Sequence, residues 1–237
     1  MTRSTRSPAT KIIFVTGTDT GAGKTLLTAL LLCQLRQTGI RALAMKPFCS
    51  GGTADVELLS ALQNEELPKE MLNPYYFNEP IAPLIAARKQ RRRIKLDEVV
   101  ERIRAVQKKC DCLLVEGSGG LLVPLGEGYS VLDLIKKLGC SVIVAARNRL
   151  GVINHTLLTT KIIHTIGHKS VRVVLMGCNR GDISARTNRK TIQELLSPTP
   201  VFELPFLGVR SSQIDAVKNS RKKMKIILAL ILGADSL

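Results

Sequence analysis

An apolar run at residues 11–16 leads directly into Gly17-Thr18-Asp19-Thr20-Gly21-Ala22-Gly23-Lys24-Thr25, and a second apolar run, residues 26–35, follows it. Strand, glycine-rich turn, Gly-Lys-Thr and helix, in that order, is the layout of a phosphate-binding P-loop. The residue types follow from the task. Glycines let backbone N–H groups close around phosphate oxygens with no Cβ in the way. The helix N-terminus adds about half a positive charge at the same point. Lys24 reaches toward the β- and γ-phosphates, and the Thr25 hydroxyl suits a Mg²⁺ ion. Five residues separate Gly17 from Gly23, one more than the common spacing.

Downstream, apolar and amphipathic runs alternate. Residues 41–47 read as a strand stopped by Pro47, 48–52 as a loop, and 54–62 as a short helix with Asp55 in its first turn. Residues 73–83 read as proline-rich and irregular, and 96–109 as a helix opening on acids and closing on bases. Residues 111–116 read as a buried strand ending on Glu116, with Gly117-Ser118-Gly119-Gly120 after it. Then come a helix at 130–138, a strand at 141–146, a helix at 154–166 capped by Asn154, a strand at 171–176, a helix at 184–196 and a strand at 201–204. Such alternation predicts an α/β fold: a doubly wound, mostly parallel sheet with helices on both faces, of the P-loop NTPase type.

In that architecture ligands sit at the carboxyl ends of the strands. The residues with chemistry to offer fall there: Lys24 and Thr25 after the first strand, Lys46 at the end of the second, Glu116 at the end of the third, Asn179 after the fifth. An acid closing an apolar strand, as Glu116 does, is placed like the Walker-B residue that binds Mg²⁺. Asp55 taken alone reads equally well as an N-terminal helix charge.

Composition narrows the classes. The chain has 237 residues, 45% of them hydrophobic, which suits one sizeable core. Residues 11–237 are expected to form a single domain behind a disordered basic tail at 1–10. With 3% aromatics the core must be Leu, Ile, Val and Ala, the composition of buried parallel strands. The net charge of +16 is scattered, apart from runs at Arg91-Arg92-Arg93 and Arg221-Lys222-Lys223. With no recognisable nucleic-acid motif, it reads as solvated surface, and no nucleic-acid partner is expected. The six cysteines lack metal or redox spacing and read as thiols of a reducing, cytoplasmic setting. No apolar stretch is long enough to span a bilayer, so no membrane partner is expected.

Several stretches together resemble the dethiobiotin synthetase family. They are residues 14–25 with the extended loop, Lys46-Pro47 with Ser50-Gly51, Asn73-Pro74-Tyr75, Ala82-Pro83, residues 114–120, Leu150-Gly151-Val152-Ile153-Asn154-His155 and Glu203-Leu204-Pro205. The resemblance implies an ATP-dependent carboxylation and ring closure of 7,8-diaminononanoate with CO₂, through a carbamate and its mixed anhydride with phosphate, in a homodimer with shared sites. By the same resemblance Gly21, Ala22, Gly23, Lys24, Thr25 and Leu26 hold the triphosphate, with Gly117, Ser118 and Gly119 beside it. Thr25, Asp55 and Glu116 hold Mg²⁺. Lys24 and Lys46 stabilise the carbamate and the moving phosphoryl group. Thr20 and Ser50 lie at the diamine. Asn179 meets the adenine edge, and Pro205, Phe206 and Leu207 line the base. Gly151, Val152, Ile153 and Asn154, from the partner subunit, receive the substrate carboxylate. Arg147, Arg149 and His155 lie near that last group without an assigned task.

The competing class is another P-loop ATPase of the same fold, a ParA-type partitioning switch or a cobalamin-pathway amide synthase. The first carries a signature lysine where this chain has Asp19, and the second comes in longer chains.

Overall fold

Strands whose every residue is apolar must be covered on both faces, and that requirement sets the architecture here. The computed structural model describes residues 11–168, 170–179, 183–208 and 212–233; the basic tail at 1–10 lies outside them. In chain order the elements are β1 (Lys11–Gly17), α1 (Lys24–Gln37), β2 (Ala42–Met45), β3 (Phe48–Ser50), α2 (Ala54–Leu62), α3 (Lys69–Leu72), β4 (Tyr75–Phe77), α4 (Pro83–Lys89), α5 (Leu96–Gln107), β5 (Cys112–Glu116), β6 (Pro124–Gly126), β7 (Tyr129–Ser130), α6 (Val131–Leu138), β8 (Ser141–Arg147), α7 (Val152–Thr165), β9 (Val171–Met176), α8 (Ala185–Leu196), β10 (Val201–Leu204), α9 (Ile214–Lys223) and α10 (Lys225–Leu232).

Six strands form one parallel sheet in the order β10-β9-β8-β1-β5-β2. All five residues of β5 are buried, as the apolar run predicts. Helix α1 packs against α2, α9 and α10, while α5 packs on α6 and α7 on α8. Right-handed crossovers place these two groups on opposite faces of the sheet, which makes it doubly wound. Residues Leu27 to Leu35 of α1 are buried without a break, because the sheet covers one side and α9 and α10 the other. A helix apolar all round is a helix buried all round.

The register brings the chemistry together. Val15 pairs with Glu116 across β1 and β5, and Met45 pairs with Val115 across β2 and β5. The P-loop, Lys46 and Glu116 therefore leave adjacent strands at one level. Edge strand β2 is held from outside by a side chain: Ala44 N–H donates to Gln63 Oε1 at 2.9 Å and Gln63 Nε2 donates to Ala44 O at 3.3 Å. One amide thus does the work of a ladder partner.

Four local expectations are corrected. Residues 48–52 are not all loop, since Phe48–Ser50 is a strand paired in parallel with Tyr75–Phe77. Residues 73–83 are accordingly not irregular throughout. Residues 41–47 yield a strand only over Ala42–Met45. Asn154 does not cap α7; Gly151, at φ 92°, does, and Asn154 lies inside the first turn. Two short helices, α3 and α4, the small antiparallel pair β6–β7 and the terminal helices α9 and α10 add to the elements read from periodicity. Among the described residues no helix is long and apolar enough to cross a membrane.

Candidate active site

The site is built from the carboxyl ends of β1, β2 and β5. The P-loop closes at Gly23, whose φ of 92° suits glycine alone and whose missing Cβ makes room for Met176 at 2.9 Å. Lys24 then opens α1 with its ammonium folded back over the loop, donating to Asp19 O at 2.9 Å. Burial pulls its pKa down from 10.5 to about 8, against the opposing pull of Glu116. A lysine buried among loop donors, whose main counter-charge Glu116 is already bound by Lys46, suits an incoming anion.

Lys46 is tied to the same point. Its backbone N–H donates to Leu72 O at 2.9 Å, and Asn73 Nδ2 donates to Lys46 O at 2.7 Å, so the turn after β2 is clamped. The ammonium donates to Glu116 Oε1 at 2.6 Å and to Asp55 Oδ2. Burial alone would lower the Lys46 pKa, but the charges of Glu116 and Asp55 outweigh it and raise the pKa above its usual value. Thr25 Oγ1 donates to Glu116 Oε1 at 2.7 Å. Thr25, Lys46, Asp55 and Glu116 thus form one linked cluster, with Lys24 beside it.

The donor chemistry suits a hard divalent cation. Glu116 Oε2 is buried and has no hydrogen-bond partner, an acceptor held ready with nothing to accept from. Carboxylate, hydroxyl and a second carboxylate are oxygen ligands of the kind Mg²⁺ takes, with phosphate and water completing the shell. Among the described residues there is no group of three His, Cys, Asp or Glu side chains arranged for a metal. A softer transition-metal site is not what this cluster resembles.

A cleft of about 650 Å³ opens over the cluster. It is lined by Thr20, Gly21, Gly23, Lys24, Thr25, Leu26, Lys46, Ser50, Asp55, Glu116, Gly117, Ser118 and Gly119. Ser50 Oγ is buried with no partner in this wall. The sequence reading overlooked part of the lining: Cys49, Gly51, Gly52, Ala54, the segment Pro80, Ile81, Ala82 and Pro83, and Val123. Gly51 and the Ala82-Pro83 pair belong to the resembling stretches, and that was the available signal.

The other candidates lie in two groups on the β8–β10 side of β1. Toward β9, Gly177 N–H donates to Leu204 O at 2.9 Å, and a Cβ on Gly177 would stand 2.5 Å from Phe206 N. That close crossing brings Pro205 and Phe206 against Gly177, just past the Met176 that packs on Gly23; Asn179, two residues on, is exposed. At the end of β8, between β1 and β9 in the sheet, Val152 shares a small recess with Thr18, Asp19, Thr20, Gly21 and Ala22, together with Arg147, Arg149 and His155. Gly151, Ile153 and Asn154 do not line the large cleft of their own chain.

A polar relay joins these two groups through residues far apart in sequence. Asn148 Nδ2 donates to Glu203 Oε1 at 2.8 Å, Asn188 Nδ2 donates to Asn148 Oδ1 at 2.8 Å, and Asn148 N–H donates to Met176 O at 2.8 Å. Both amides are buried, so the loop from β8 into α7 is fixed against β9, β10 and α8.

Comparison with known proteins gives the cluster a context. A family model described as an AAA domain matches residues 11–212. The chain is 36% identical over 212 residues to the ATP-dependent dethiobiotin synthetase BioD of Bacillus licheniformis, covering 87% of this chain and 88% of that one. It is 39% identical over 208 residues to the protein of the same name from Methanocaldococcus jannaschii, covering 86% and 95%. Among solved structures it resembles the septum site-determining protein MinD complexed with Mg-ADP from Pyrococcus horikoshii OT3. The TM-score is 0.58 at 15% identity, covering 96% of this chain and 99% of that one, a likeness of fold.

Proposed function

The chain belongs to the dethiobiotin synthetase family, ATP-dependent ligases of biotin biosynthesis, and from that premise we propose how its residues divide the work of carboxylation and ring closure. The observation that carries the reading is Lys46, held between Glu116 and Asp55 beside Thr25 and facing one cleft with Lys24. A simple ATPase needs the P-loop lysine; a second buried lysine from another strand suits an anion that is not part of the nucleotide.

In this reading one amine of 7,8-diaminononanoate takes up CO₂ to form a carbamate. A carbamate oxygen attacks the γ-phosphorus of ATP and ADP leaves with the bridging electrons. The second amine then attacks the carbamoyl carbon, phosphate leaves, and the ureido ring closes. Phosphoryl transfer of this kind depends on positioning and on positive charge at the moving oxygens. Lys24 and the P-loop amides bind the β- and γ-phosphates. Lys46 holds the carbamate in line, with Ser50 and Thr20 on the diamine side. Two nearby cations also disfavour a third, so they keep the attacking amine in its neutral form. Thr25, Asp55 and Glu116 hold Mg²⁺, which when bound offsets the charge on the phosphate oxygens.

The same reading gives Asn179 the adenine edge and Pro205, Phe206 and Leu207 its flank. It gives the α7 N-terminus, residues 151–154, to the substrate carboxylate of the partner subunit in a homodimer, an ordinary anion site. Support for the last assignment is negative in form: in their own chain Gly151, Ile153 and Asn154 do not line the cleft. Phosphate release measured with and without the diamine tests the proposal. Release is expected to depend on diamine and bicarbonate together, and equal rates without them would overturn it.

A further inference from the structure

Three of the cations behind the chain's basic balance stand on one face of α9. Lys218, Arg221 and Lys222 fall at the spacing that stacks side chains along one stripe of a helix. That helix packs on α1, and with Arg36 the three line a cleft of about 620 Å³ over the buried Cys33. The Cys33 thiol registers the convergence: burial raises its pKa, and the charges that oppose the rise are Lys218, Arg221 and Arg36.

Helix-end electrostatics account for only part of the cluster. The C-terminal end of a helix attracts cations, which suits Arg36 in the last turn of α1 and Arg221 and Lys222 in the last turn of α9, but not Lys218, which lies a turn earlier. Arg36 also has an acidic partner, Glu66. Among the described residues Lys218, Arg221 and Lys222 have no ion-pair partner, and Asp215, the single acid in the lining, pairs with none of them. Like charges gathered against a single lining acid repel one another, so their grouping around a concavity calls for an anion.

We propose that this cleft is a second anion site, separate from the P-loop, that binds a small phosphate-bearing molecule. Its volume falls in the range of small-molecule sites, about 300–1,000 Å³. A guanidinium supplies a fork for two phosphate oxygens and the lysines supply point charges, the usual division of labour at phosphate. The cleft shares no residue with the one over the P-loop. The two lie toward opposite ends of α1, whose 14 residues at about 1.5 Å each span roughly 20 Å. The inference stands apart from the reaction proposed above.

The test is calorimetric titration of inorganic pyrophosphate into the full chain carrying Lys24→Ala, in buffer of moderate salt, so that P-loop binding is suppressed. One site is expected. Adding Lys218→Gln, Arg221→Gln and Lys222→Gln should weaken it by about tenfold or more, the effect of losing charge-assisted hydrogen bonds. The control removes the same amount of charge elsewhere, with Arg91→Gln, Arg92→Gln and Arg93→Gln, and should leave affinity within about twofold. If the α9 triple variant does not fold, Lys218→Gln with Lys222→Gln, both exposed positions, should still weaken binding several-fold. Equal losses in the two triple variants would mean diffuse net charge and overturn the site. So would binding indifferent to α9, or a short DNA duplex that binds far tighter than pyrophosphate through the same three residues.

Discussion

Replacing Lys46 by Met removes the cation between two carboxylates while keeping most of the volume. Glu116 is 1% exposed, so its charge is left in the interior with the Thr25 hydroxyl as its remaining hydrogen-bond partner and the Lys24 ammonium nearby. Breaking a buried pair by deleting one partner costs about 3–5 kcal/mol, because the survivor stays buried and unpaired. The Asp55 arm adds little, about 0–1 kcal/mol, since that side chain is 45% exposed and water screens it. For a chain of this size about 3 kcal/mol corresponds to a melting temperature lower by roughly 6–12 °C. The second step discriminates. Glu116→Gln alone keeps an acceptor for Thr25 and for Lys46 and should cost about 1 kcal/mol. Added to Lys46→Met it removes the stranded charge, so the double variant should be more stable than Lys46→Met alone by about 2 kcal/mol. Denaturant unfolding of all four proteins in EDTA measures the cycle. A double variant less stable than Lys46→Met, with the two losses simply additive, would refute the idea that Lys46 acts by neutralising Glu116.

Lys24 sets a pH dependence. Its pKa of about 8 in the free protein must rise when phosphate arrives, so nucleotide binding takes up a proton. Affinity for ATP should be flat below pH 8 and fall by up to about tenfold per unit above it; titration calorimetry in two buffers of different ionisation heat reads the proton directly, and no uptake at pH 8.5 would contradict the assignment. Gly23→Ala should abolish nucleotide binding without unfolding the sheet, because the new Cβ meets Met176 at 2.9 Å and the φ of 92° is strained; unchanged ATP affinity by equilibrium dialysis would count against the loop geometry. Equal amounts of two inactive parents, Lys24→Ala and Asn154→Asp, co-refolded, should recover activity in about a quarter of all sites, since a two-fold dimer puts both lesions in one site of each mixed pair. Persistent inactivity after demonstrated subunit exchange would leave each chain with its own complete site.

Most of this site was legible in sequence because P-loop fingerprints are local. Gly17 to Thr25 lie within one strand-turn-helix, and Lys46 and Glu116 each close a short apolar strand whose end the parallel sheet must present to the ligand. What was not legible depends on contacts between distant segments. The three-residue strands Phe48–Ser50 and Tyr75–Phe77 are too short for a period-two signal and exist through each other. The Gln63 clamp on Ala44 and the relay of Asn148, Asn188 and Glu203 join side chains far apart in the chain, and nothing local marks those residues as paired. The residue type of Asn154 favours a helix cap, but the backbone starts α7 earlier, at a glycine in the left-handed region.

The central claim is that ATP is spent to carboxylate a diamine and close a ring. The most direct measurement incubates the protein with 7,8-diaminononanoate, ¹³C-bicarbonate and MgATP, and follows dethiobiotin by mass beside ADP. The account predicts dethiobiotin with one labelled carbon, one ADP formed per product, and no product from Lys24→Ala. ADP accumulating with no labelled dethiobiotin, or at a rate indifferent to the diamine, would contradict it.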